Sequence, residues 1–172
     1  MSPHPAPASD ATRPLRWRLI TASVRLPANE PLAEFKTCNK LPQILARSQA
    51  DSAGADDALL LNTEGGVVEG SSSNLFWIEG GKVRTPSLAA GILAGVTREV
   101  VMELSRGLGI EAGEGAVMPK GLLEAEGVFL SLSSIGLAEA VSLDGCKLSQ
   151  SPVVQELFKE YHRLVARESG GI

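Results

Sequence analysis

Residues 67–77 read VVEGSSSNLFW, a single carboxylate, Glu69, set between apolar residues and three serines. Val-Val before the Gly/Ser break and Leu-Phe-Trp after it have strand character. A half-buried strand keeps its acids on the wet face, because an unpaired buried acid is costly to desolvate. Glu69 therefore either faces water or has a basic or hydrogen-bonding group opposite it.

Working outward, DALLLN and VVEGS form two strands around a TEGG turn, and NLFWIEGGKVRTP is a second hairpin turning at Gly80 and Gly81. Residues 16–24 (RWRLITASV) read as a strand followed by a loop. In NKLPQILARSQADSAG, Leu41, Ile44, Leu45 and Ser48 recur at helical spacing, with Pro42 in the first turn and Gly54 as the stop. The spacing predicts a second helix over 96–108, with Val96, Val100, Val101 and Leu104 on one side and Gly107 and Gly109 at its end. PKGLLEAE is a short helix, GVFLSLS a buried strand, and AEAVSLDG a strand entering a turn at Asp144 and Gly145. The closing SPVVQELFKEYHRLVARE is an amphipathic helix, with Ser151 as N-cap and Pro152 at its first position. Hairpins interleaved with helices indicate an α+β fold rather than a regular parallel sheet.

The 172 residues fit one domain with a tail, and a 44% hydrophobic share suits a globular core. A net charge of −4 with scattered basic residues argues against a nucleic-acid partner. Cys38 and Cys146 lack metal-ligand spacing and read as free thiols of a reducing compartment. With only His4 and His162, neither a zinc centre nor a Ser-His-Asp triad is expected, and no metal is assigned. No apolar run is long enough to span a bilayer. Residues 1–15, rich in Pro and Ala, read as a disordered tail without a secretory signal, which implies a cytoplasmic protein.

Three segments carry chemistry together. Lys36, in EFKTCNKLPQ, is either a surface lysine or an amine partly desolvated for Schiff-base formation. Glu69 is a strand acid that, in a cofactor site, can keep a pyridine nitrogen protonated. In GILAGVTRE, residues 91–99, a glycine-containing loop enters a helix, so the amides of Val96 and Thr97 with the Thr97 hydroxyl form either a phosphate cradle or an ordinary helix start.

In that order, the three resemble the fold-type-IV pyridoxal-phosphate enzymes: class IV aminotransferases, including branched-chain and D-amino-acid aminotransferases, and 4-amino-4-deoxychorismate lyase. KTCNKLPQILAR resembles the lyase segment around the Schiff-base lysine, which implies that role for Lys36. EGSSSNLFW resembles the glutamate motif, implying that Glu69 meets the pyridine nitrogen and that Asn74 is a motif residue. GILAGVTRE resembles the phosphate loop, so Leu93 would pack on the ring while Val96 and Thr97 bind phosphate. FLSLSS falls at a hydroxyl-bearing turn of the family and implies Ser133 on the phosphate side. The resemblance runs from about residue 16 to the last helix. It implies a D-amino-acid-aminotransferase-like large domain over 16–172, pyridoxal 5′-phosphate as cofactor, a small amino substrate and a homodimer.

Members of the family carry a smaller N-terminal domain before the strand that begins here near Arg16, and a Pro/Ala-rich tail stands in its place. Glu139, in GLAEAV, falls where the family often has proline. The readings are then an enzyme active in some assembly, an inactive truncated member, or a non-catalytic module. KTCNKLPQ and SSSNLFW tilt the expected reaction toward the lyase, which releases pyruvate and 4-aminobenzoate, with a class IV aminotransferase as the alternative.

Overall fold

The computed structural model describes residues 13–28, 32–33 and 35–170. Most of the expected tail, 1–12, lies outside the described residues. The chain runs through β1 (Leu15–Leu26), α1 (Leu41–Ala53), β2 (Asp57–Asn62), β3 (Val67–Gly70), β4 (Asn74–Glu79) and β5 (Lys82–Pro86). There follow α2 (Val96–Gly107), β6 (Ala112–Gly115), α3 (Pro119–Glu124), β7 (Gly127–Leu132), β8 (Gly136–Leu143), β9 (Cys146–Lys147) and α4 (Pro152–Glu168).

The described strands make one mixed sheet in the order β3-β2-β1-β8-β7-β4-β5-β6, with β9 against β8. β1 is parallel to both of its neighbours, β2 and β8, while the hairpins are antiparallel, as an α+β chain requires. Turn chemistry sets the registers. Gly80 and Gly81 both take positive φ, 56° and 70°, the two-residue turn whose twist matches the strands it joins. At the β2–β3 turn the Asn62 side-chain oxygen accepts the amides of Glu64 and Gly66.

Both faces of the sheet are covered, so the strands are apolar on both sides. Along β4, Leu75 and Trp77 enter one core cluster, while Phe76 and Ile78 enter another beneath α2 and α4, where Phe76 stacks on Phe129 at 4.8 Å. Ser151 caps α4, its hydroxyl accepting the Val153 amide.

Three features go beyond what spacing and propensity predict. The apolar stripe of α1 faces out: Leu41, Ile44 and Leu45 are exposed, and the helix instead seats Ala46 and Ala50, whose small side chains let it lie close on β1 and β2. Val96, grouped by spacing with Val100, Val101 and Leu104, is 78% exposed, because the helix turns Thr97, Arg98, Val101 and Met102 inward. The short β6, read from no strand propensity in AGEG, is recruited as a parallel edge to β5; the buried Arg98 ties it in, donating to Glu114 at 2.7 Å and to the Pro86 carbonyl.

Candidate active site

Glu69 is the third residue of β3, opposite Leu60 of β2, and only 8% exposed. Among the described residues no cation forms an ion pair with it; the Leu93 amide donates to its Oε2 at 3.3 Å. Burial pushes the Glu69 carboxyl above its ordinary range. The Leu93 amide, the charge of Lys40 and the Gln43 side chain pull the other way, and the charge of Asp57 adds a small further rise. The acid of the VVEG strand thus faces neither bulk water nor, among the described residues, a salt-bridge partner.

Asn74, at the start of β4, donates its side-chain amide to the Leu93 carbonyl at 2.9 Å. Leu93 is therefore clamped on both backbone groups, by Glu69 on its N–H and by Asn74 on its C=O. The clamp leaves no space at residue 95, where a Cβ would stand 2.1 Å from Asn74 Oδ1, so glycine is required there.

Two residues further on, Val96 and Thr97 open α2. The first amides of a helix have no intrahelical acceptor, and Gly95 at the N-cap has no side chain to supply one. The buried Thr97 hydroxyl stands 3.5 Å from the exposed Ser133 hydroxyl, too long for a strong bond between them and suited to a shared third group.

A cavity of about 880 Å³ is lined by all seven residues singled out in the sequence: Lys36, Glu69, Asn74, Leu93, Val96, Thr97 and Ser133. Lys36 sits on the exposed loop leading into α1, so the partial desolvation expected of it is not met within this chain, where nothing among the described residues covers residues 35–39. The hydroxyls of Ser71 and Ser73 are donated to buried Asp57; Ser72 alone of the three is exposed in the cavity.

Sequence reasoning missed three groups here. Ser131 lines the cavity with its hydroxyl buried and unpartnered among the described residues, and the side-chain oxygen of Gln43 is likewise unpaired. Ser131 was legible, since strand period two carries the face of Ser133 back to it. Lys40, four residues after Lys36 and at the N-cap of α1, also lines the cavity.

A model of the amino-transferase class IV family matches residues 1–143. The chain is 35% identical over 150 residues to a Methanocaldococcus jannaschii protein provisionally named a branched-chain-amino-acid aminotransferase, covering 83% of this chain and 52% of that one. Among solved structures, a Legionella pneumophila protein provisionally named a 4-amino-4-deoxychorismate lyase superposes with a TM-score of 0.82 at 32% identity, covering 91% of this chain and 57% of that one. The branched-chain aminotransferase of Thermobaculum terrenum, in its pyridoxal-phosphate form, superposes with a TM-score of 0.84 at 29% identity, over 92% and 53%. The chain spans about half the length of the curated relatives it matches.

Proposed function

The chain belongs to the class IV aminotransferase family, and on that premise we propose that it is the cofactor-binding half of an aminotransferase acting on branched-chain amino acids. Pyridoxal phosphate is the cofactor of this family, and the residues present fit it. A carboxylate buried without an ion-pair cation and a Ser131 hydroxyl without a partner, both among the described residues, share one cavity with the uncapped amides at the start of α2, which suits a molecule carrying both a basic ring nitrogen and a phosphate. This juxtaposition is the observation that carries the proposal.

Pyridoxal phosphate supplies, when bound, an aldehyde that takes up an amine and a ring that withdraws electrons. Glu69 would hold the proton of the ring nitrogen, and the Leu93 N–H fixes the orientation of its carboxylate. The amides of Val96 and Thr97, with the hydroxyls of Thr97, Ser131 and Ser133, would hold the phosphate. Lys36 would attach the cofactor through Nζ and move the proton at the substrate Cα. Ile44 and Val96, both exposed to the cavity, present apolar surface to a branched side chain.

The comparisons favour this reaction over the lyase toward which KTCNKLPQ leans, since branched-chain aminotransferases predominate among the matched relatives and structures. The lyase stays as a second reading on one observation, the 32% identity to the Legionella protein. Self-association into a homodimer is supported by the outward apolar stripe of α1. A cytoplasmic location is supported by two exposed free cysteines; among the described residues no helix is long and apolar enough to cross a membrane.

Titration with pyridoxal phosphate, then borohydride reduction and peptide mapping, tests the site. Attachment at Lys36 supports it, and no attachment to the folded chain overturns it. Turnover of leucine with 2-oxoglutarate against release of 4-aminobenzoate from 4-amino-4-deoxychorismate then separates the two reactions, and a loaded chain inert to both marks the inactive member.

A further inference from the structure

Asp57, at the start of β2, has no part in the function proposed above, yet it is wholly buried and pairs with no cation among the described residues. A carboxylate so placed is costly unless donors replace its lost water. Four do. Oδ1 accepts the Ala58 amide at 2.8 Å, the Ser71 amide at 3.2 Å and the Ser71 hydroxyl, while Oδ2 accepts the Ser73 hydroxyl at 2.9 Å. The turn between β3 and β4 is thus wrapped on this one side chain, and the Gly70 amide closes it on the Ser73 carbonyl at 2.8 Å. Glycine is required at 70 for the same reason, since a Cβ there would stand 2.1 Å from Ser73 Oγ and 2.7 Å from Asp57 Oδ2.

Each end of that turn continues into the site. Glu69 directly precedes Gly70, and Asn74 directly follows Ser73. Asn74 holds the Leu93 carbonyl, and the Leu93 amide returns to Glu69, so the path closes on itself. We propose that Asp57 is a positioning residue of the cofactor cavity, its buried carboxylate folding the 71–73 turn into the shape that keeps Glu69, Asn74 and Leu93 in mutual register. The proposal rests on the cofactor reading of that cavity. Asp57 also acts at Glu69 through space, its negative charge adding to the larger effect of burial in disfavouring the Glu69 carboxylate.

The test pairs a carboxyl-carbon NMR titration of Glu69 in the cofactor-free chain with pyridoxal phosphate titration of the same preparations. Asp57→Asn keeps an acceptor for Ser71 and offers an N–H to the Ser73 oxygen, so it preserves the turn and removes only the charge; the Glu69 midpoint is expected to move to lower pH. Asp57→Ala removes every acceptor and is expected to weaken pyridoxal phosphate binding about tenfold or more. Made in a Ser71→Ala/Ser73→Ala background, the same change is expected to add little, because the turn has already lost its anchor. Unweakened binding in Asp57→Ala, or an equal loss from Asp57→Ala in both backgrounds, overturns the proposal. If Asp57→Ala does not fold, Ser71→Ala/Ser73→Ala alone decides, since it removes two of the donors on Asp57, and unweakened pyridoxal phosphate binding in that variant overturns the proposal. Failure of the unaltered chain to take up pyridoxal phosphate sinks the cofactor reading instead, and the midpoint, measured without cofactor, still decides the coupling of Asp57 to Glu69.

Discussion

Glu69 and Leu93 are 24 positions apart, yet the acid at the end of β3 accepts the amide of the leucine that leads into α2, at 3.3 Å. This bond ties the carboxylate to the helix start, so a disturbance at either would be felt at the other. It also leaves one Glu69 oxygen to interact with a ligand. The stability of the cofactor-free chain should record how poorly that carboxylate tolerates burial.

Because the Glu69 carboxyl sits above its ordinary value of 4.5 in the folded chain, its contribution to stability is fully present below that value and is lost as pH rises through the raised one. Glu69→Gln should therefore flatten the fall in melting temperature as pH rises above 4.5, and stabilise the cofactor-free chain at neutral pH. Glu139, also shifted upward by burial, leaves a residual slope of the same sign. Thermal melts across pH check this, and an unchanged slope in the variant would place the cost of burial elsewhere.

Lys36→Ala should remove the borohydride-trapped adduct. The informative control is Lys40→Ala, because Lys40 lines the same cavity four residues along the chain. Mass mapping that finds the label on Lys40 in the unaltered chain would transfer the nucleophile to that residue.

Thr97→Val keeps the helix start and deletes the hydroxyl that faces Ser133. Affinity for pyridoxal phosphate should fall by about 1–2 kcal/mol, the scale of one hydrogen bond to a charged group. Fluorescence titration measures it, and an unaltered dissociation constant removes Thr97 from the phosphate site.

Gly95→Ala forces a methyl to within 2.1 Å of Asn74 Oδ1. The φ of residue 95 is −74°, so the cost is a collision rather than a backbone preference. A loss of about 1–3 kcal/mol in stability is expected, together with weakened cofactor binding as the Leu93 clamp opens. Asn74→Ala in the Gly95→Ala background should recover part of the stability, because the atom in the way has gone.

Ile44→Glu should leave the fold intact, since Ile44 is 61% exposed, and should reduce self-association measured by light scattering. An unchanged mass distribution would take the outer face of α1 out of any interface.

Much of this architecture was legible because local signals agree with it. Gly54, Gly80 and Gly81 adopt the positive φ their positions demand, and Ser151 caps the helix it precedes. Orientation was not legible. Leu41, Ile44 and Leu45 form a good apolar stripe, and spacing alone does not say which way a stripe points; the close approach of Ala46 and Ala50 to the sheet settles it. β6 carries almost no strand propensity, and pairing with β5 together with the Arg98–Glu114 bond supplies what the residues lack. Lys36, Glu69 and Thr97 were picked out through their resemblance to motifs. Asp57 was not, because an acid at the start of a strand looks solvated until the serines that fold back on it, 14 and 16 positions later, are seen in three dimensions.

The position of β1 bears on how the molecule is made. This early strand pairs with β2, which follows soon after it, and on its other edge with β8, where Leu15 meets Ala138. During synthesis that second edge stays open until residues 136–143 have left the ribosome, leaving a row of unpaired amides and carbonyls available to other chains. A pairing of such long sequence separation also makes sheet completion slow relative to hairpin formation. The nascent chain is therefore vulnerable to aggregation until β8 has emerged, and release of a product lacking β8 would yield a sheet divided along its middle.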